Sequence, residues 1–360
     1  MKKKKSKIAI ITECPYVGVF KAIDNLGCIL NDIGFEIIFV LPQIPRNRYG
    51  QKQKDQEKKL LKYGSIKYLP LRRKYRYLIF DFIKYLSFLK RERFNIVISF
   101  TEYAGKLSRL CYLMNRSSRY YHSHQCVDVY RKKGFEFYIE LFIEKSLKNL
   151  TDYYIACGPS EVSILIERIN VRPEKILFLP NFNELSILKN TKKEYDYVYV
   201  GRMVDIKGIS KVLQIFKELG LSSQLVCIGE GPQLEHFKKI YDETKFLGYL
   251  PYDDVLKTVT KSKFIVSYSE IEGLPYSVLE AMSLGVVPIV SRVPGHSDLV
   301  LEGVNGFTFC DNVDFREVLF KSSILDSCSY SKISNSSKVM LTRLARYSKL
   351  ETKKHFNQYV

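Results

Sequence analysis

SEIEGLPYSVLEAMSLG, residues 269–285, sets Glu272 and Glu280 on either side of a Gly-Leu-Pro turn. The preceding run, KFIVSYS, is apolar and rich in β-branched residues, so the segment reads as a strand, a tight turn and the start of a helix. Ser277 and Glu280 match the spacing of a capping box, in which the glutamate folds back on the helix start. That explanation is purely structural, and the rest of the chain decides whether it is the whole one.

Working outward, short apolar runs alternate with helix-length segments throughout. KIAIIT, EIIFVL, NIVISF, SRYYHSH, DYYIAC and KILFLP serve as strands in the first half, and YDYVYVG, SQLVCIG, KFIVSYS and VVPIVS in the second. Apolar strands separated by helices imply parallel sheets covered on both faces. The expectation is an α/β fold of two doubly wound, Rossmann-like domains in tandem. A strand ending in Pro180-Asn181, followed by the polar stretch KNTKKEYD, marks the linker. The expected domains are 1–185 and 186–335, with a helical segment at 336–360 packing back on the first. Ligands in such sheets sit beyond the carboxyl ends of the strands.

Composition narrows the class. In 360 residues, 46% are hydrophobic and 26% charged, the balance of a globular protein. No apolar run approaches the roughly 18 to 20 residues of a spanning helix. The head MKKKKSKIAIITE lacks a small-residue cleavage site and reads as a first strand behind a lysine cluster. Eight scattered cysteines without a C-x-x-C pair fit free thiols in a reducing cytoplasm better than a disulfide framework or a zinc site. Residues 1–190 carry 35 Lys+Arg against 18 Asp+Glu, so +17 of the total +19 lies there. Such a half attracts phosphate-bearing surfaces, although a solvated basic face has the same composition. Within it, YLIFDFIKYLSFLKRERF mixes aromatics with cations, as an interfacial helix does or as a helix packed on its own sheet does.

The second half carries a run of strand-end signals. YDYVYV leads into Gly201-Arg202, and Lys207-Gly208 opens a helical stretch. Two cations bracketing a strand-to-helix turn suit a diphosphate, since arginine forks onto phosphate oxygens and a helix N-terminus offers N–H groups. Ile228-Gly229-Glu230-Gly231-Pro232 ends the next strand. Phe246-Leu247-Gly248-Tyr249-Leu250 offers a wall for a flat base or ordinary core packing. Turns follow at 290–295 and at Glu302-Gly303-Val304-Asn305-Gly306.

In this order, VGRMVDIKG, CIGEGP, FLGYL, SEIEGLPYSVLEAMSLG and GVNGF resemble the donor half of family 4 glycosyltransferases, closely over about 195–310. The first half is similar more loosely, through KIAIIT, His122-Ser123-His124 and LFLPN; the HSH element resembles that of bacterial exopolysaccharide and capsule enzymes. The resemblance implies a GT-B architecture and a retaining transfer from a nucleotide-diphosphate sugar. It implies catalytic roles for Glu272, His124, Arg202 and Lys207. It implies donor-binding roles for Gly18, Gly201, Arg202, Lys207, Gly229, Leu250, Gly273, Leu274, Pro275, Tyr276 and Glu280. Glu272 would lie by the sugar and Glu280 would hold the ribose, because an ionised acid accepts from two vicinal hydroxyls. The amides of Gly273 to Ser277 would face the diphosphate, and His296 would be structural.

No metal or other cofactor is expected. The chain has no strict D-x-D, only Asp253-Asp254 and the wider Asp311-Asn312-Val313-Asp314. The expected acceptor is a glycan or lipid-linked glycan of surface polysaccharide or lipopolysaccharide assembly, met in the cytoplasm at the anionic inner leaflet, without nucleic acid. Two departures stand out. The first loop, CPYVGVFKAI, has one glycine, Gly18, where the family commonly has two, and the linker reads Pro180-Asn181-Phe182-Asn183 where Pro-Asn-Gly is usual. A nucleotide-sugar 2-epimerase of the same architecture and a basic nucleic-acid-binding protein stay open as alternatives. An NAD enzyme is disfavoured, since G-x-G-x-x-G after the first strand is missing.

Overall fold

The computed structural model describes residues 5–14, 17–43, 50–72, 77–123, 134–183 and 192–360. The chain divides into two compact units, residues 1–180 with 347–360, and residues 181–346. The linker pattern placed the first division at 185 and the return at 335. The structure puts Asn181 and Asn183 in the second unit, where their side chains bond Leu274 and Tyr252.

In the first unit the strands are β1 (Lys7–Thr12), β2 (Glu36–Pro42), β3 (Gly64–Leu69), β4 (Ile96–Phe100), β5 (Arg119–Ser123), β6 (Tyr153–Ala156) and β7 (Ile176–Phe178). They form one sheet, ordered β3-β2-β1-β4-β5-β6-β7, with every pairing parallel. The helices are α1 (Val17–Ile33), α2 (Gly50–Leu60), α3 (Leu78–Glu92), α4 (Glu102–Tyr112), α5 (Phe135–Leu147) and α6 (Pro159–Glu167). Alternation along the central strands sorts side chains to two faces. Ile8, Ile10, Ile37 and Ile96 meet Phe20, Ile23 and Leu30 of α1. Ala9, Ile11, Ile38 and Val97 meet Tyr85 and Leu89 of α3 and Leu107 of α4. Burial on both faces is why these strands read as continuous apolar runs. Just past β1, the buried Glu13 carboxylate accepts from the amides of Tyr103 and Ala104, both at 3.0 Å, and so satisfies the first turn of α4.

The second unit contains β8 (Tyr195–Val200), β9 (Leu225–Ile228), β10 (Lys245–Gly248), β11 (Ser262–Ser267), β12 (Val287–Ser291) and β13 (Phe307–Phe309). These make a parallel sheet ordered β10-β9-β8-β11-β12-β13. Its helices are α7 (Ile209–Glu218), α8 (Leu234–Ile240), α9 (Tyr252–Thr260), α10 (Tyr276–Ser283) and α11 (Asn312–Ser323). Tyr197, Cys227, Phe264 and Ile289 pack on α7, α8 and α11 at one face. Val198, Val226 and Ile265 pack on Val259 of α9 and Ala281 of α10 at the other. In both sheets the strand order reverses beside a central strand, the arrangement that opens a crevice at the carboxyl edge.

The last helix, α12 (Ser327–Phe356), begins in the second unit and ends in the first. There Phe356 is fully buried in the α1-side core, the Tyr121 hydroxyl and His355 Nε2 are 2.8 Å apart, and Ser348 Oγ donates to the Pro180 carbonyl. No described helix is long and apolar enough to cross a membrane.

Candidate functional site

The carboxyl ends of β8, β9 and β10 are joined backbone to backbone. The amide of Gly201 donates to Ile228, that of Met203 to Glu230 and that of Gly229 to Gly248, at 2.8–3.0 Å. This closeness demands glycine. At Gly229, φ is +139° and a Cβ would lie 1.8 Å from the Gly201 carbonyl oxygen. The loop after β12 lies as tightly on the loop after β11. Gly295, at φ +82°, would place a Cβ 1.8 Å from the Gly273 oxygen. The loops after five strands, β8 to β12, are thereby held close to their neighbours.

Lys207 and Glu272 meet there. Lys207 closes the short 3₁₀ turn Asp205–Lys207, and the Glu270 amide bonds the Ile206 carbonyl, tying that turn to the end of β11. Lys207 Nζ stands 2.5 Å from Glu272 Oε1, and Ser269 Oγ donates to the same oxygen at 2.7 Å. Burial raises the Glu272 pKa, but Lys207, His296 and the Ser269 hydrogen bond outweigh it and hold the carboxyl below its ordinary range.

Glu280 lies one turn into α10, buried, and accepts from the Tyr252 hydroxyl at 3.2 Å. The capping box does not form. The N-cap is Pro275, in extended conformation and without a side-chain cap, so Ser277 falls inside the helix and Glu280 is released from that duty. Pro275 has no N–H, so the free amides at this helix start come from its neighbours. Leu274 and Tyr276 are buried. The linker's Asn181 clamps both, donating to the Leu274 carbonyl at 3.1 Å and accepting from the Tyr276 hydroxyl at 3.2 Å. Asparagine in Pro180-Asn181-Phe182 thus anchors the turn between the two glutamates.

His296, in the turn after β12, was expected to be structural. It is wholly buried, with Nδ1 3.0 Å from the Ser291 carbonyl. Ser291 Oγ in turn donates to the Ser269 carbonyl at 2.6 Å. A proton on Nδ1 leaves Nε2 as the acceptor nitrogen, and Nε2 has no hydrogen-bond partner among the described residues. Burial lowers its pKa to about 4, against the opposing pull of Glu272. A neutral imidazole therefore stands beside the Lys207–Glu272 pair. Gly295 and the Ser291 hydroxyl both hold this turn against the loop after β11.

Arg202 is exposed beside Gly201, and its guanidinium forms no ion pair with a described residue. Leu250 is half-buried against Ile228, Val198 and their neighbours, so it packs on the core as well as bordering the site. Among the described residues, no group of three or more His, Cys, Asp or Glu is placed to hold a metal ion.

Known proteins are similar to this chain in sequence and fold. The family model described as Glycosyltransferase Family 4 matches residues 18–186, and that for Glycosyl transferases group 1 matches residues 182–318. The chain belongs to glycosyltransferase family 4.

Among relatives of this family 4 chain is the GDP-mannose-dependent alpha-mannosyltransferase of Corynebacterium glutamicum, 31% identical over 38% of this chain and 32% of that protein. Another is the O-antigen biosynthesis glycosyltransferase WbnH of Escherichia coli, 26% identical over 61% of this chain and 66% of that one. The match therefore spans from about a third to just under two thirds of these relatives. Anabaena HepE, solved in complex with UDP and glucose, superposes with a TM-score of 0.76 at 13% identity over 98% of this chain and 100% of its own. That likeness shows the GT-B fold.

The family 4 chain's remaining candidates lie in the first unit. Gly18 is half-buried in the first turn of α1. His124 lies outside the described residues. His122 is buried at the end of β5, 3.2 Å from Ser99 Oγ and edge-on to Tyr154. A cleft of about 580 Å³ lies at the ends of β11–β13 between Lys211, Tyr268, Arg292 and Asp311. It adjoins Ser269 and Ser291 but includes none of the residues expected from sequence.

Proposed function

We propose that this chain is a retaining glycosyltransferase that moves a sugar from a nucleotide-diphosphate donor to a surface glycan or lipid-linked acceptor at the inner leaflet. The observation that carries it is the Lys207–Glu272 pair, held among glycine-tightened strand-end loops. Arg202 forks onto the diphosphate, and Lys207 shares its charge between Glu272 and the phosphate as negative charge grows on the leaving group. The amides of Tyr276 and Ser277 at the start of α10 add a partial positive charge. With these in place, the reading includes no metal.

Glu280, steadied by Tyr252, takes the ribose hydroxyls, and Glu272 orients the hydroxyls of the sugar. Glu272 is already bound to Lys207 and Ser269, a placement suited to orienting rather than to attack. The acceptor then approaches on the face the diphosphate leaves, and the departing phosphate oxygen takes the acceptor proton. Glycosidic bond breaking and making balance with no covalent enzyme intermediate. His124 completes the reading as a group lining the sugar site.

A thermal-shift panel of nucleoside diphosphates and their sugars tests the donor, since ligands that bind only the folded chain stabilise it by mass action. NMR of the product from the best donor shows either a new glycoside with the donor's own anomeric configuration or, if the sugar is epimerised without acceptor, the reading's failure. A glycosyl adduct trapped on any side chain would overturn the same-face mechanism.

A further inference from the structure

Helix α5 is built inside out. Two of its three carboxylates face inward, Glu136 being exposed: Glu140 lies 2.5 Å from Lys106 of α4, and Glu144 receives both terminal nitrogens of Arg109 at 2.6 and 2.7 Å. These four side chains are buried. Burial lowers the pKa of both cations, and the acids more than restore it, so the pairs stay ionised. The outward face carries Phe135, Tyr138, Ile139 and Phe142, at the i, i+3, i+4, i+7 spacing of a single stripe. Phe135 is 79% exposed and Phe142 71%. An ordinary surface helix places these classes of residue the other way round.

Helix α3 shows the same economy of acids. Asp81 is buried against the Tyr103 hydroxyl and the Arg72 amide, and Glu92 is tied to Lys7 at 2.7 Å. Outward it presents Ile79, 77% exposed, with Phe80 and Ile83, then the exposed Lys84, Lys90 and Arg91. Lys84 and Arg72 both lie over the Phe80 ring, at 4.4 and 4.7 Å from its centroid. Helix α4 packs against both α3 and α5, so the two faces belong to one layer. Their apolar residues fall mainly in the first turns, at the carboxyl edge of the sheet.

We infer that this layer docks the chain on an anionic lipid bilayer, with the α5 stripe and the Ile79-Phe80-Ile83 cluster entering the headgroup–acyl boundary and the α3 cations on lipid phosphates. The inference rests on the proposed inner-leaflet acceptor and supplies the surface that reading lacks. Charge selects the occupant. A second copy related by two-fold symmetry would bring Lys84, Lys90 and Arg91 against themselves, whereas anionic headgroups complement them. Aromatic anchors beside snorkelling cations are what an interfacial layer requires, and both helices expose several large apolar side chains.

Flotation of the full chain with vesicles of phosphatidylcholine alone or mixed with phosphatidylglycerol tests this. Binding is expected only with phosphatidylglycerol, and salt should weaken it. Phe135→Ser with Phe142→Ser, and separately Ile79→Ser with Ile83→Ser, should each lower partitioning roughly tenfold. Both pairs replace exposed side chains, so melting temperature and the nucleotide thermal shift should be kept. Wild-type chain that stays unbound, or variants that float as wild type does, would overturn the docking face while the nucleotide shift still upholds the transferase reading. A concentration-dependent dimer abolished by the phenylalanine pair would overturn it in favour of a second copy.

Discussion

Replacing Lys207 by methionine keeps the side chain's length and removes its charge, which isolates what the Lys207–Glu272 contact contributes to folding. The two side chains are 26% and 12% exposed, so the pair is shielded without being dry. With charge centres about 4 Å apart and an effective dielectric constant of about 20, the attraction is about 4 kcal/mol. Desolvation and side-chain ordering offset roughly half, so Lys207→Met should cost about 2 kcal/mol, below the figure for a fully buried pair. In a unit spanning residues 181–346, that lowers Tm by about 4–8 °C.

The cost must also depend on pH. Lys207 helps hold the Glu272 pKa below its unfolded value, so the stabilisation is present above about pH 4.3 and is lost as pH falls through the folded pKa. Differential scanning calorimetry of wild type and variant at pH 7.5 and at pH 3.5 should show a gap that narrows on acidification. Adding Glu272→Gln to Lys207→Met should recover part of the loss at pH 7.5, because no isolated carboxylate is left. Equal Tm values at pH 7.5, or a gap that ignores pH, would refute the pairing argument.

His296 should give a loss of the same sign at higher pH, that of a histidine held neutral. Its pKa of about 4 lies below the unfolded value, so urea-measured stability should fall by up to roughly 3 kcal/mol between pH 6.5 and 4, and His296→Asn should flatten that slope. Gly295→Ala would drive a methyl group into the Gly273 carbonyl at a positive φ; at least about 2 kcal/mol of stability and most of the nucleotide thermal shift should go with it. Arg202→Ala touches an exposed side chain without an ion pair among the described residues, so Tm without nucleotide should move by no more than about 1 °C. Its nucleotide affinity, read by calorimetry, should drop roughly tenfold or more.

The central strands and the order of the strand-end loops were legible because both obey local rules. KIAIIT and EIIFVL are apolar on both faces, as only a doubly covered strand can be. Edge strands obey weaker rules. GSIKYL at β3 is largely exposed and polar on one side, and FTF at β13 is three residues long, so neither stood out. The capping box failed for a backbone reason: Pro275 occupies the cap position, which shifts the helix start ahead of Ser277. The surroundings of His296 were out of reach because they depend on loops distant in sequence that press Gly295 onto Gly273. The inward carboxylates of α5 were equally hidden, since FEFYIELFIEK shows an apolar stripe without showing which side is inside. Glu272 and Glu280 were singled out through the resemblance to family 4, and the structure supplied their partners, Lys207, Ser269 and Tyr252.

The end of α12 has a consequence for how the protein is made. Phe356 fills the α1-side core and His355 meets Tyr121, so a nascent chain carrying only residues 1–180 has its sheet but not the plug that completes it. During synthesis the first unit must wait, partly open at that face, while the whole second unit is translated. Ribosome-bound chains should therefore engage chaperones until residues 347–360 emerge, and release from them should coincide with that last segment rather than with the end of the first sheet.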